Sequence, residues 1–350
     1  RLGYAYAAAQ ADVVALDPNG SLAVVDAASF SLYFKRLLAK LGIETYNLRS
    51  HDTKTAYNAF SEEGLTEAER AMKERYVRGL ASQAYAALDA ARGSRLRGGA
   101  AAAIAAGPYL DPSAAVSAGL VDELLYREDF IALVDERVGE AKHVDIRAYA
   151  RDRNLSWGEP LATRVAVVYL SGSIIEGPGI AGQSIGDAAA ELLVELRDDA
   201  SIAGVVLRVD SGGGSALTSD HIAREVRLLR EAGKPVVASM ASYAASGGYY
   251  VSALADRIFA EEGTITGSIG VTGLQFNLTG LLETLGVGVG SVSASDSGDF
   301  GNPLLPRREA DEERMAGMIR YIYDRFVAVV AEGRGLEPAR VDELGRGQIW

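Results

Sequence analysis

From residue 164 onward, apolar and polar positions alternate between two periods. Residues 164–170 are a short β-branched apolar run bounded by polar positions, which predicts a buried strand. Residues 185–197 carry apolar side chains at helical spacing, and 203–210 (Ala-Gly-Val-Val-Leu-Arg-Val-Asp) read as a second strand. After Ser-Gly-Gly-Gly-Ser at 211–215, helical spacing returns over 217–232 and stops at Gly233-Lys234-Pro235. A third strand is predicted at 235–239, a helix from about residue 245, and short strands at 258–260 and 265–271. A helix pair is expected at 308–332 and 338–345. Strands that alternate with helices make an α/β protein with a largely parallel sheet covered by helices. Earlier in the chain the same logic predicts strands at 12–16 and 45–48 and helices at 30–41 and 67–91.

Two stretches repeat at a fixed offset. Tyr6, Ala9, Ala11 and Asp12 recur 244 residues later as Tyr250, Ala253, Ala255 and Asp256. Leu37, Leu38, Leu41 and Gly42 recur as Leu281, Leu282, Leu285 and Gly286, and Asn58, Glu69 and Arg70 recur as Asn302, Glu313 and Arg314. One displacement held over so many residues marks a tandem duplication. The expected organisation is an N-terminal copy over 1–125, a charged connecting segment with a helix and a linker over 126–163, and a C-terminal copy over 164–350. If the copies are equally long, about 80 residues of the first lie upstream of Arg1, and the second stops short of the ending that residues 115–122 give the first.

Bulk composition narrows the function classes. With 350 residues the chain can bury a substantial core, and a net charge of −12 argues against a nucleic-acid surface. The absence of cysteine excludes disulfides, thiolate metal sites and a cysteine nucleophile. No run reaches the ~18 apolar residues of a membrane span.

The positions where the copies differ carry the chemistry. Ser246, in Ala-Ala-Ser-Gly-Gly-Tyr-Tyr, corresponds to Leu2, whereas Lys54, in His-Asp-Thr-Lys-Thr-Ala, corresponds to Gly298. One copy thus holds a candidate nucleophile and the other a candidate base. A serine hydroxyl needs a base to take its proton and donors to receive the oxyanion. Ser246 precedes two glycines at the start of a predicted helix, where N–H groups are unpaired. The Gly212–Gly214 run follows a strand end, the edge where ligands bind a parallel sheet, so an N–H there, with Gly213 the first choice, would pair with that of Gly247 as an oxyanion hole. Lys54 serves as base only when neutral, which requires lowering its pKa by roughly three units, or ~4 kcal/mol, through burial. Ser268, in Thr-Ile-Thr-Gly-Ser-Ile-Gly, is placed to orient the amine, and Val24 stands at its counterpart.

Gly-Lys-Pro-Val-Val-Ala-Ser-Met, then Ala-Ala-Ser-Gly-Gly-Tyr, then Thr-Gly-Ser-Ile-Gly closely resemble the bacterial signal peptide peptidase (protease IV) family in its long, duplicated form. The resemblance covers nearly all of 1–125 and 164–350. It implies a tandem-duplicated Clp protease/crotonase-like fold and a Ser–Lys dyad without a cofactor, with Ser246 as nucleophile and Lys54 as general base. It also implies Ser268 as the lysine's partner and Gly213 with Gly247 as oxyanion donors. The implied activity is ATP-independent serine endopeptidase cleavage of apolar peptides, remnant signal peptides among them. The implied assembly is a bowl-shaped homo-oligomer, a tetramer, on the extracytoplasmic (periplasmic) face of the inner membrane, held by an N-terminal membrane anchor not present in this chain. Two motifs depart from the family: Gly212 stands where a proline is usual, and His51-Asp52-Thr53-Lys54-Thr55 replaces a Gly-x-Tyr/Phe-Lys-Ser pattern.

Other readings of the same residues stay open. His51, His143 and His221 offer a histidine base, with surface positions as their bland alternative. Asp210 either caps the glycine loop or supplies the carboxylate of a crotonase-type acyl-CoA enzyme, and Tyr249 and Tyr250 read as core or pocket wall. A catalytically inactive scaffold is the remaining rival, and it requires Lys54 to be solvated and far from Ser246.

Overall fold

The structure, a computed structural model, describes residues 3–139, 144–145, 148–149, 164–295 and 297–350. Two compact units divide the chain. One comprises Arg1–Phe30 and Lys73–Glu159, the other Ser31–Met72 and Pro160–Trp350. Residues 31–72 of the first sequence copy therefore pack with the second copy, and all the candidate site residues fall in this one unit.

That unit is built on a parallel sheet. Its strands are β2 (Arg164–Ser171), β3 (Ile202–Ser211), β4 (Val236–Ala245), β5 (Arg257–Phe259) and β6 (Ile265–Gly267). β3 pairs with β2 on one side and β4 on the other, and β5 and β6 take successive stretches of the far edge of β4, all in parallel. Along β3 every second side chain is buried: Val205, Leu207 and Val209 pack with Ile222, Val226 and Leu229 of helix α2 (Ala216–Glu231). A period of two on the strand thus meets a spacing of three to four on the helix. Helix α1 (Asp187–Asp198) adds Leu193 to the same core, and α4 (Glu309–Arg334) adds Tyr323, Phe326 and Val330. The Ser215 hydroxyl caps α2 by accepting from the Thr218 N–H.

The elements depart from the sequence expectation in two places. β4 runs on to Ala245, well past the expected end at residue 239. Its second half pairs with β6 instead of β5, so the register is supplied by a partner that local pattern does not reveal. The stretch after Val271, unassigned from sequence, is strand β7 (Thr272–Asn277), which lies antiparallel to β1 (Glu44–Arg49). Its Thr-Gly-Leu-Gln-Phe-Asn sequence carries too few β-branched residues to announce a strand, and the six-residue ladder to β1 forms it.

The repeated Leu-Leu-x-x-Leu-Gly segments form two helices of six residues, Lys35–Lys40 and Thr279–Thr284, also 244 residues apart. The Gly42 and Gly286 that follow them both have φ +71, the left-handed conformation that ends a helix. Repeated Asn58 and Glu69 are buried and bonded to each other at 3.1 Å, with Arg49 donating to the Asn58 side-chain Oδ1 at 2.9 Å. This network anchors the loop that carries Lys54 to β1.

The other unit has its own core of Ala84, Leu88, Ile104 and Leu120, around most of the helix Glu67–Arg92. Buried Arg92 is paired with Asp122 at 2.6 Å. Of the expected connecting segment, Arg127–Val138 is helical. No helix among the described residues is long and apolar enough to cross a membrane.

Candidate active site

Three of the site's segments leave the sheet at the C-terminal ends of parallel strands, the edge at which α/β proteins bind ligands. The glycine loop follows β3, Ser246 follows β4 and Ser268 follows β6. Lys54 arrives from the loop after β1, which β7 ties to the same unit.

Ser246 sits between β4 and the short helix α3 (Gly247–Ser252) with φ 54, a sharp turn that non-glycine residues rarely adopt. Backbone bonds on both sides hold it: its N–H donates to the Gly267 carbonyl and its carbonyl accepts from the Tyr250 N–H, each at 2.9 Å. The hydroxyl is thereby aimed out of the strand–helix junction into a cleft of about 390 Å³. Gly214, Ser219, Tyr250, Val271, Ile322 and Phe326 are among its walls, and among the described residues no carboxylate lines it.

Lys54 is 3% exposed and its Nζ lies 2.9 Å from the Ser246 Oγ. The same nitrogen is 2.8 Å from the Ser268 carbonyl oxygen and 2.9 Å from the Ser268 Oγ. Among the described residues no carboxylate lies within 4 Å of it. Burial with no compensating charge pushes the lysine down from 10.5 to about 7. The three contacts suit a neutral amine. Its two N–H groups donate to the Ser268 oxygens, and its lone pair accepts the Ser246 O–H. Ser268 itself adopts φ 51, so that both of its oxygens face the amine.

The lowered lysine has a consequence for stability. Between about pH 7 and pH 10.5 the unfolded chain binds a proton at Lys54 that the folded chain does not, so stability falls as pH drops through that window and is flat below it. At pH 6 the full penalty is present, on the order of 5 kcal/mol at 1.36 kcal/mol per unit. Lys54→Met is therefore expected to unfold several degrees above the native protein at pH 6, and the gap should narrow towards pH 10. Thermal unfolding of both proteins across that range checks it. A gap independent of pH would show that the lysine is not desolvated.

The glycine loop differs from expectation in one detail. The Gly213 N–H already donates to the Ser211 Oγ at 3.1 Å, and Ser211 in turn donates to the Gly172 carbonyl at 2.6 Å. Gly213 is buried, whereas its neighbour Gly214 is exposed and lines the cleft. The Ser211 turn thus distinguishes a glycine whose N–H is already bonded from a neighbour that lines the cleft. Gly213 instead provides clearance. At φ +98, a Cβ there would fall 2.5 Å from the Gly247 nitrogen and 2.8 Å from the Ser246 Cβ. The Gly247 N–H opens α3, where a helix leaves its first donors without intrahelical acceptors. Gly213→Ala is expected to lower turnover about 10²–10³-fold, the cost of losing an oxyanion donor, with the fold retained by circular dichroism. Undiminished turnover would remove Gly247 from the site.

The remaining candidates lie elsewhere. His51 stacks edge-on against Tyr323 and its Nε2 is 3.9 Å from Asp342, and it does not line the cleft. The His221 Nδ1 is 3.7 Å from Asp187, half-exposed. His143 lies outside the described residues. Asp210 accepts from the Tyr243 N–H at 3.1 Å and caps the end of its strand. Tyr250 is cleft wall. Its hydroxyl donates to Asp220 at 2.6 Å, and burial followed by that carboxylate pushes the phenol up, so it stays protonated. Partly buried Tyr249 packs against the core.

The pattern of peptidase family S49 matches residues 2–140 and 228–350, which include Lys54, Ser246 and Ser268. The chain belongs to peptidase family S49. Among its S49 relatives, Protease 4 of Haemophilus influenzae is 30% identical over 99% of this chain and 58% of its own length. Protease 4 of Salmonella typhi is 32% identical over 99% of this chain and 57% of its own. Serine protease SPPA, chloroplastic, of Arabidopsis thaliana is 32% identical over 67% of this chain and 36% of its own. The chain thus spans somewhat over half the length of the two Protease 4 relatives it matches. Its α/β architecture is of the Clp protease/crotonase class expected for S49.

Proposed function

We propose that this chain carries the active site of an ATP-independent serine endopeptidase with a Ser–Lys dyad. The observation that carries the reading is the buried Lys54 Nζ at 2.9 Å from the Ser246 Oγ, with no carboxylate among the described residues beside it to keep it charged. The neutral amine takes the Ser246 proton as Oγ attacks the scissile carbonyl. The oxyanion is received by the Gly247 N–H and by the glycine loop, where Gly214 replaces Gly213 as the donor. The ammonium then gives its proton to the leaving amine, which departs as the peptide bond breaks. Water, deprotonated by the same lysine, hydrolyses the acyl-enzyme and restores Ser246. Ser268 orients the amine throughout.

The substrate class is apolar peptide bound in an extended form, remnant signal peptides included. Small and apolar cleft walls (Ala216, Val271, Ile322, Phe326) support it, and the protease names of the relatives support peptide cleavage. For the whole protein the reading includes homo-oligomeric assembly and action at the extracytoplasmic face of the inner membrane. A crotonase-type acyl-CoA reaction is disfavoured because, among the described residues, no carboxylate lines the cleft. A non-catalytic scaffold is disfavoured because Lys54 is buried against the serine.

The test is cleavage of a synthetic apolar signal-sequence peptide without ATP, read by mass spectrometry. Internal cleavage that stops on acylation of Ser246 is expected. Intact peptide after prolonged incubation with the full-length protein would overturn the reading.

A further inference from the structure

Residues 345–350 have no part in the chemistry described above, yet they touch both members of the pair that presents the base. They run antiparallel to the Ser268 loop. Thr266 and Trp350 exchange both backbone hydrogen bonds, at 2.9 and 3.1 Å, and Gly267 bridges Ile349. The Ser268 N–H donates to the Gln348 carbonyl at 2.6 Å, and the Gly347 N–H donates to the Ile269 carbonyl at 2.7 Å. Ser268, at φ 51, is therefore gripped on both sides by this ladder. A serine in that conformation relaxes unless its surroundings over-determine it.

The same segment meets the lysine from the other side. Gly347, at φ +78, lies so close that a Cβ on it would stand 2.7 to 2.8 Å from the Lys54 Cβ, Cα and N. Gly270 approaches as closely: a Cβ there would stand 2.9 Å from the Gly347 Cα. Two glycines thus let the segment sit against the lysine backbone. The Thr53 hydroxyl fastens the contact by donating to the Arg346 carbonyl.

We infer that residues 346–348 form a clamp that positions the general base, with Gly347 as its positioning residue and Thr53 as its fastening. The clamp fixes the Ser268 oxygens and the Lys54 backbone in one frame, so that the amine meets the Ser246 hydroxyl and stays shielded from water. The inference rests on Lys54 being the base. Opening the clamp acts first on the proton acceptor, because the Ser246 Oγ and the Gly247 N–H belong to the β4–α3 junction and make no hydrogen bond to residues 346–348.

The experiment measures the rate of Ser246 labelling by a fluorophosphonate as a function of pH, with thermal unfolding alongside. It compares the native protein, Gly347→Ala, Thr53→Val and Lys54→Ala. Gly347→Ala is expected to label ~10²-fold more slowly at pH 7, the cost of about 1 Å of misplacement. Its acid limb should move up by about one pH unit or more as water reaches the amine. Thr53→Val, a smaller lesion, is expected to move both quantities in the same direction by less. A slower rate with an unmoved acid limb would mean a structural defect only and would overturn the clamp, as would native behaviour in both variants. If Gly347→Ala does not fold, Thr53→Val decides alone. Labelling of Lys54→Ala at the native rate would instead refute the lysine as base, a separate failure from that of the clamp.

Discussion

Ser246→Ala is expected to abolish peptide hydrolysis, by about 10⁵–10⁶-fold, while leaving the fold intact. The size of the loss follows from the site's dependence on one covalent step. Without Oγ the lysine has no proton to take and no acyl-enzyme forms, so only binding and the oxyanion donors remain. The fold is expected to survive because the backbone bonds at this position, to Gly267 and from Tyr250, do not involve the side chain. Alanine also faces the same backbone conformation that serine already adopts at φ 54. Turnover of an apolar peptide measured beside circular dichroism separates the two effects. Retention of even a tenth of the native rate would mean that the nucleophile is elsewhere.

The second large effect concerns protons. On the proposed reading Lys54 acts as a base, which requires its neutral form, and burial brings its pKa to about 7. The rate should therefore rise with pH through about 7 and then level, because the fraction of neutral amine grows until it saturates. Lys54→Met is expected to lower turnover by several orders of magnitude at every pH. Lys54→Arg should be as inactive despite keeping the charge, because a guanidinium does not deprotonate in a protein. A rate profile centred well above pH 9 would indicate a solvated lysine. Activity in the arginine variant would indicate that the group at position 54 acts through its charge and not as a base.

Much of this site is legible in the sequence, for reasons that differ from residue to residue. Ser246 stands out because the 244-residue offset supplies its own comparison: Leu2 occupies the equivalent position, and a difference between the two stretches singles out a residue that only one of them carries. Lys54 is visible by the same logic, as Gly298 is its counterpart. The sheet is legible in β2 and β3 because buried strands concentrate β-branched residues. What the sequence does not reveal depends on contacts between distant segments. β7 is a strand because β1 lies beside it, and β4 extends because β6 pairs with its second half. That the Gly213 N–H is already bonded to the Ser211 hydroxyl is a contact three consecutive glycines cannot announce. The ladder over residues 345–350 has no periodic pattern, since backbone groups and two glycines make its contacts. Asn58 and Glu69 stand between these cases. The repeat singles them out, but only the structure shows that their role is to anchor the lysine loop.

The central claim, that Ser246 is activated by Lys54, is tested most directly by fluorophosphonate labelling of the full-length protein at pH 8, with the modified residue mapped by peptide mass. The account predicts a single adduct on Ser246 in the native protein and none in Lys54→Met. An adduct on Ser246 that forms equally fast without the lysine, or an adduct on another residue, would contradict it.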